Sequence, residues 1–463
     1  MQKNFYVYVF IAVLLFNCQL FSQEKPSLEQ QIADLQQQLN ALKQQHEAEK
    51  EAAANKAKNA PVIFVSSKEG ATLKAADDSY KLKLSGYAQA DARLFKDDDV
   101  ALGTTDTFLL RTVRVTFSGS FSDFIDFNIS PEFAGSSVSL PDASVDLKFY
   151  PALKFRAGKF KTPFALERLQ ASTATTFAEL GLPGNLGPNR DIGFQLFGDL
   201  FKETVSYNIG IFNGLQDGAT SVTDSNKDKD LVARVFMHPF KNSDTLLGLR
   251  GLGFGLAATH GKRKDTNANL AKYKTAGQVN FFSYLSTVTT SGVTTLDIFA
   301  DGTQTRFSPQ MYYYYKSFGF LSEYITSEAE LVRTTTTTSD REKFRNKAWQ
   351  AAASYILSGD EASYKGVTPL HPFSLKNGKW WALELAARYA VLDIDDDIFA
   401  SSFANISRSA TKAEALTLGL NWYLTRNIKY TFDYERTSFD GGAAGGADRP
   451  TEDLFISRVQ LQY

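Results

Sequence analysis

The chain predicts an all-β protein: a 16-stranded antiparallel transmembrane β-barrel preceded by a short N-terminal coiled-coil helix. Three observations carry that expectation. From Tyr80 to Tyr463 the residues alternate apolar and polar in segments of roughly ten, the repeat of a barrel strand with one lipid face and one lumen face. The connections between these segments alternate between tight turns and long polar stretches. Beyond the first residues there is no apolar run of about 18, so a membrane could be crossed only by strands.

The N-terminal stretch MQKNFYVYVFIAVLLFNCQLFSQEK places Lys3 before an apolar run from Phe5 to Phe16 and a short polar region, the plan of a secretory signal peptide ending near Ser22. Cys18 is the single cysteine and falls within that segment. A mature chain beginning after it would carry no disulfide. Leu28, Ile32, Leu35, Leu39 and Leu42 follow at a/d spacing, which predicts a coiled coil over 27–50 whose partner is a copy of itself, or else a solvated helical spacer. Residues 51–79 read as a linker, and 80–463 as the barrel.

Alternation is clearest in LKLSGYAQADARL, SVDLKF, LKFRAG, TVSYNIGIF, DLVARVFM, WALELAARYA, LTLGLNWYL, IKYTFDYE and FISRVQLQY. A soluble sandwich would use shorter strands with less regular connections. Tight turns are expected around 119–123, 150–152, 199–202, 239–246, 316–318 and 425–427, with the long connections on the outer side. Seventeen segments have strand character, but bacterial single-chain barrels have even strand counts. VNFFSYL at 279–285 is the weakest and is assigned to an outer loop from about His260 to Thr303, leaving sixteen.

A Lys or Arg on the lipid face near the midplane costs about 2–4 kcal/mol, so the charged set must face the lumen. That set contains Lys81, Lys83, Arg93, Arg114, Lys148, Lys154, Arg156, Arg234, Arg306, Arg388, Lys429 and Arg458, opposed by Asp91, Asp126, Glu132, Asp146, Glu384, Asp433 and Glu435. Twelve bases against seven acids predict a wet, mixed lumen that mildly favours anions. The stretch from Lys159 to Arg190 is too long for a simple surface link. Folded into the bore, with ERLQASTATTFAE forming a short helix, it would present Lys159, Lys161, Arg168 and Arg190 to passing anions.

Other chemistry is excluded by spacing. His46, His238, His260 and His371 are far apart and form neither a metal-ligand nor a triad pattern, so no enzyme and no cofactor is expected. DSNKDKD at 224–230 has Asp/Asn spacing suggestive of a calcium loop but lacks its glycine and its bidentate Glu. GLGFG at 251–255 reads as a strand with small inward residues. The net charge of −1 offers no global basic field for nucleic acid.

FLLRTVRVTFSGSF followed by SPEF, LKFRAGKFKTPFALERL, PNRDIGFQLFG, YNIGIFNG, SYILSGDEASYKGVTPLHPF, WALELAARYAVLD and LGLNWYLTRNIKY stand in order along the barrel, and together they resemble the phosphate-selective porin O/P family of Gram-negative outer membranes. The resemblance implies a bacterial outer-membrane trimer of sixteen-stranded barrels with inward-folded loops and an arginine-lined constriction. The solutes it implies are small anions such as phosphate or polyphosphate. It also implies outer-membrane lipid and the barrel-assembly machinery as partners, the latter through the C-terminal FISRVQLQY.

The constriction expected on this basis combines Arg111, Arg114, Lys148, Lys154, Arg156, Lys159, Lys161, Arg168, Arg190, Arg234, Arg306 and Arg388. Two departures from the family pattern weaken a phosphate ring: Thr112 follows Arg111 where a second arginine is expected, and Tyr87 follows Gly86. Strict alternation would even turn Arg111 outward, unless the strand carries a bulge or the residue sits at the rim. A general, non-selective porin and a structural or adhesive barrel anchored by its coiled coil are the alternatives.

Overall fold

The computed structural model describes residues 27–58, 62–66, 70–77, 79–97, 99, 102–220, 226–378 and 382–463; the expected signal peptide lies outside them. The chain forms two compact units: the N-terminal helix, and the barrel with a small hairpin added to it. The helix, α1, spans Leu28–Lys58, and its Leu28, Ile32, Leu35, Leu39 and Leu42 are all exposed. It therefore runs on into the stretch read as a linker. The rest of that stretch is not featureless either: Val62–Ser66 pairs with Gly70–Lys74 as a hairpin.

The wall has the expected sixteen strands. They are β1 (Tyr80–Phe95), β2 (Thr107–Phe121), β3 (Ile125–Glu132), β4 (Ser139–Tyr150), β5 (Leu153–Lys161), β6 (Arg190–Leu200), β7 (Val205–Phe212), β8 (Asp230–Met237), β9 (Leu252–Asp265), β10 (Val293–Tyr315), β11 (Phe318–Thr335), β12 (Ser339–Ile356), β13 (Ala382–Asp393), β14 (Ala410–Tyr423), β15 (Ile428–Gly441) and β16 (Glu452–Gln462). Each pairs antiparallel with its neighbours, and β16 closes on β1 from Leu454 opposite Phe95 to Gln462 opposite Tyr87. Tyr463 completes the closure by exchanging backbone hydrogen bonds with Gly86. Below that point the hairpin takes over the same edge of β1, with Ala71 opposite Leu84, so the sheet continues past the C-terminus.

Alternation sorts the faces as anticipated. Phe194, Ile209, Leu256, Leu418 and Phe455 are exposed on the outside, while Gln195, Thr417, Asp433 and Arg458 are buried within. Gly253 and Gly255 point inward against Phe236 and His238, where a Cβ would collide. The residues 279–285 stay out of the wall; Asn280–Ser283 forms its own two-stranded sheet with Lys272–Lys274. The connection containing them is shorter than expected, because β9 extends to Asp265 and β10 begins at Val293.

Three connections depart from the alternation of lengths: 238–251, where a tight turn at 239–246 is expected, and 357–381 are long although they lie at the short-turn end, and 336–338, at the outer end, is a tight turn. The link 357–381 folds upward into the barrel: Tyr364 Oη donates to Leu166 O at 2.6 Å and its ring stacks on Tyr312. Within β5, Gly158 has φ +127°, and a Cβ there would approach the Ala143 carbonyl to 2.1 Å. Gly158→Ala should therefore destabilise the barrel by about 1–3 kcal/mol. A lower urea midpoint in detergent, read from heat-modifiable migration on gels, checks this.

Candidate functional site

The stretch between β5 and β6, residues 162–189, crosses the bore; its α-helical part is Leu166–Leu169, shorter than the sequence suggests, and a 3-10 turn follows at Leu182–Asn185. A peptide inside a barrel must find partners for its backbone polar groups. Here the wall supplies them. Gln89, Gln460, Lys429 and Asn421 donate to the carbonyls of Ser172, Thr173, Thr175 and Thr176 at 3.3, 3.1, 2.7 and 2.8 Å. Arg458 donates to Ala178 O, and Arg388 to Glu179 O at 3.0 Å. Glu323 accepts the Leu166 and Glu167 amides at 2.7 and 3.3 Å, and Asp433 accepts the Ala178 amide at 2.7 Å.

These contacts divide the lumen. On β10 to β16 the inward residues are buried beneath the crossing loop and beneath other outer connections that fold in above it. Tyr273, Phe281 and Phe282 from 266–292 and Phe403 from 394–409 pack with Phe164, Leu182 and Leu186 of the crossing loop. On β2 to β8 most inward polar residues keep partial exposure. At the short-turn end, beneath the loop, a cavity of about 250 Å³ is lined by Lys83, Tyr87, Thr116, Thr173 and Arg426. A second of about 190 Å³ shares Thr173 and Arg426 and adds Lys365 and Lys429.

The expected constriction residues fall into two groups. Arg306 and Arg388, 0% and 2% exposed, are committed to the buried half. Arg306 meets Asp217 at 2.7 Å, and Arg388 meets Glu167 at 3.0 Å and Glu435 at 3.3 Å. These two act as struts between wall and loops. On the open half, Arg114 pairs with Glu132 at 3.1 Å, Lys148 with Asp126 at 2.7 Å, Lys154 with Asp199 at 3.1 Å and Arg190 with Asp142 at 3.0 Å. Arg156 grips Asp146 with two bonds of 2.6 Å. Arg234 bonds the neutral Gln310 side chain at 3.0 Å, and Lys161 and Arg168 donate to the backbone carbonyls of Gln170 and Gly184. Lys159 is half-buried and stands opposite Ala143 and Ile192 in its ladders.

Arg111 shows how the bulge resolves the parity conflict. Gln89 pairs with Thr112 and Ala90 with Leu110, so Arg111 is the extra residue of a β-bulge. Its side chain turns to Glu179 of the crossing loop, with Nε–Oε1 at 2.7 Å and Nη2–Oε2 at 3.1 Å. Arg93 and Arg458 reach the same carboxylate at 2.8 and 3.1 Å. Burial alone would raise the Glu179 pKa, but Arg111, then Arg458 and Arg93, outweigh it and hold the carboxyl at about 2. Tyr87, the other departure, lies beneath the Arg114 guanidinium at 5.5 Å. Several partners were missed in the sequence. Asp142 lay one alternation step before Ser144, whereas Glu167, Glu179 and Asp217 sit in loops where no period applies.

Residues 82–463 match the family model described as phosphate-selective porin O and P. The chain belongs to that family. It is an outer-membrane porin, a channel rather than an enzyme. Porin O of Pseudomonas aeruginosa is 21% identical over 418 residues, covering 87% of this chain and 92% of the relative. Among solved structures, the anion-selective porin from Comamonas acidovorans superposes with TM-score 0.51 at 12% identity, covering 83% of this chain and 100% of that one. The trimer form of in-vitro folded OmpT from Vibrio cholerae gives 0.50 at 13% identity, with 83% and 100% covered.

Two outcomes follow from the geometry. Asp146→Asn leaves the Arg156 guanidinium without its counter-charge, so the reversal potential in a salt gradient should move toward anion selectivity, while Arg156→Gln should move it the other way. The Glu179 clamp, whose carboxyl is depressed from an ordinary value near 4.5 to about 2, contributes fully above about pH 4.5 and is lost as pH falls toward 2. Single-channel traces should be equally steady at pH 7 and 5 and become noisy at pH 3.

Proposed function

We propose that this porin is a passive diffusion channel favouring small anions, with inorganic phosphate, and then polyphosphate, as the leading solutes. The observation that carries the reading is the surplus of charge at the crossing loop. Arg168 and Arg234 spend their hydrogen bonds on neutral oxygens, so their positive charge adds to a wall whose other bases are largely matched by carboxylates, and Lys161 beside them likewise donates to a backbone carbonyl. Burial, and after it the nearby Arg190, lower the Arg168 pKa to about 10. A passing oxyanion is the natural partner for such a cluster, because guanidinium offers it planar, bidentate donors. The family's description and the name of the Comamonas porin point the same way.

A second reading, a general porin of weak selectivity, has its own observation: the near one-to-one pairing of bases and acids along β2 to β8. In either case three copies of the chain associate, as in the trimer form of OmpT, and the exposed a/d row of α1 is then covered by the same row of the other copies. The C-terminal strand delivers the chain to the barrel-assembly machinery.

Planar-bilayer recording under a salt gradient, followed by phosphate titration of the chloride current, separates the readings. The expected result is anion-selective current blocked by low phosphate. In the double variant Lys161→Gln, Arg168→Gln, two charge-assisted contacts of roughly 1.5–3 kcal/mol each are lost. Block should then weaken by at least about tenfold. Weak or cationic selectivity without block leaves a general porin, and no conductance leaves only a structural barrel.

A further inference from the structure

Inside the barrel one carboxylate is bound in the way a solute anion would be. Glu179 is not a wall residue; it hangs from the crossing loop and enters a socket of three guanidiniums. Arg111 engages both of its oxygens, and Arg93 and Arg458 share Oε1. Two of the three arginines are almost wholly buried, at 5% and 6% side-chain exposure, whereas Arg111 is 39% exposed and forms the lip toward water. Asp91 is the only other carboxylate that these arginines reach among the described ion pairs, at 2.7 Å from Arg458 and 3.4 Å from Arg93. Three positive charges thus face two negative ones.

We propose that Glu179 is a tethered counter-anion, occupying in cis a guanidinium socket that would otherwise take a carboxylate or phosphate oxyanion from the channel, and so setting the strength of anion selectivity. The inference deepens the anion-channel reading and rests on it. Its support is geometric. The socket has the donor count and planarity with which proteins bind carboxylate and phosphate. Its lip exists only because a bulge rotates Arg111 away from the lipid side that alternation would assign it. Removing the carboxylate leaves three arginines against Asp91 alone, a charge that must draw an anion from solution.

The test compares purified wild type with Glu179→Ala and Glu179→Gln in planar bilayers, with formate and inorganic phosphate as probes. Glu179→Ala should raise the anion-to-cation permeability ratio by at least about twofold. Millimolar formate should refill the emptied socket and return the ratio toward the wild-type value, with no effect on wild type. Glu179→Gln should raise the ratio without responding to formate, because its amide still fills the space. A Glu179→Ala channel with the wild-type ratio, or with a raised ratio that neither formate nor phosphate reverses, overturns the proposal.

Should Glu179→Ala fail to insert, Arg111→Gln serves, since it retains the carboxylate and removes the lip. It should shift the ratio toward cations, and an unaltered ratio overturns the proposal equally. Each comparison is to wild type. A wild-type channel that itself prefers cations therefore counts against the anion-porin reading while leaving the Glu179 shift measurable.

Discussion

A length of peptide laid across the inside of a barrel exposes carbonyls and amides to a space where water is scarce, and each must be satisfied or the loop cannot stay. The row of acceptors from Ser172 to Glu179, met by Gln89, Gln460, Lys429, Asn421, Arg458 and Arg388, is the constraint on which the rest of this structure depends. A buried amide or carbonyl left without a partner costs roughly 1–3 kcal/mol, so a loop with this many bonds is held at many points at once. The donors come from β1 and from β13 to β16, strands distant from the loop along the chain. Barrel closure is therefore a precondition for docking the loop.

Docking on one side makes the lumen asymmetric. Along β10 to β16 arginines that alternation places in a water-filled bore become struts, with Arg306 and Arg388 fixed to carboxylates from loops and, for Arg388, from β15. Truncating either would strand a buried partner charge, a loss of stability more than of conduction. Along β2 to β8 the bases stay wet, and their value to a passing ion depends on how far their acidic partners cancel them. On the proposed anion-channel reading, solute selectivity is a property of a few unmatched groups near the crossing loop and not of the summed lumen charge.

Some of this was legible in the chain. The strand count, the tight turns at 150–152, 316–318 and 425–427, the inward set and the crossing loop all follow from period-two alternation and connection length, both local quantities. Arg111 marks the edge of that legibility: alternation assigned it outward, with a bulge as the escape, and only the pairing of Gln89 with Thr112 and Ala90 with Leu110 decides the matter. The upward fold of 357–381 had no local signal, because its hold on Leu166 through Tyr364 is made across the bore.

By itself the sequence determined which side chains face lipid and which face the lumen, since a strand repeats every two residues and a charge in hydrocarbon is expensive. The tertiary structure alone decided which of those lumen charges are free. Arg388 meets Glu167, and Arg458 meets Glu179, across separations of 221 and 279 residues. No periodicity spans such distances; ion pairing depends on separation in space, and barrel closure and loop docking set that separation.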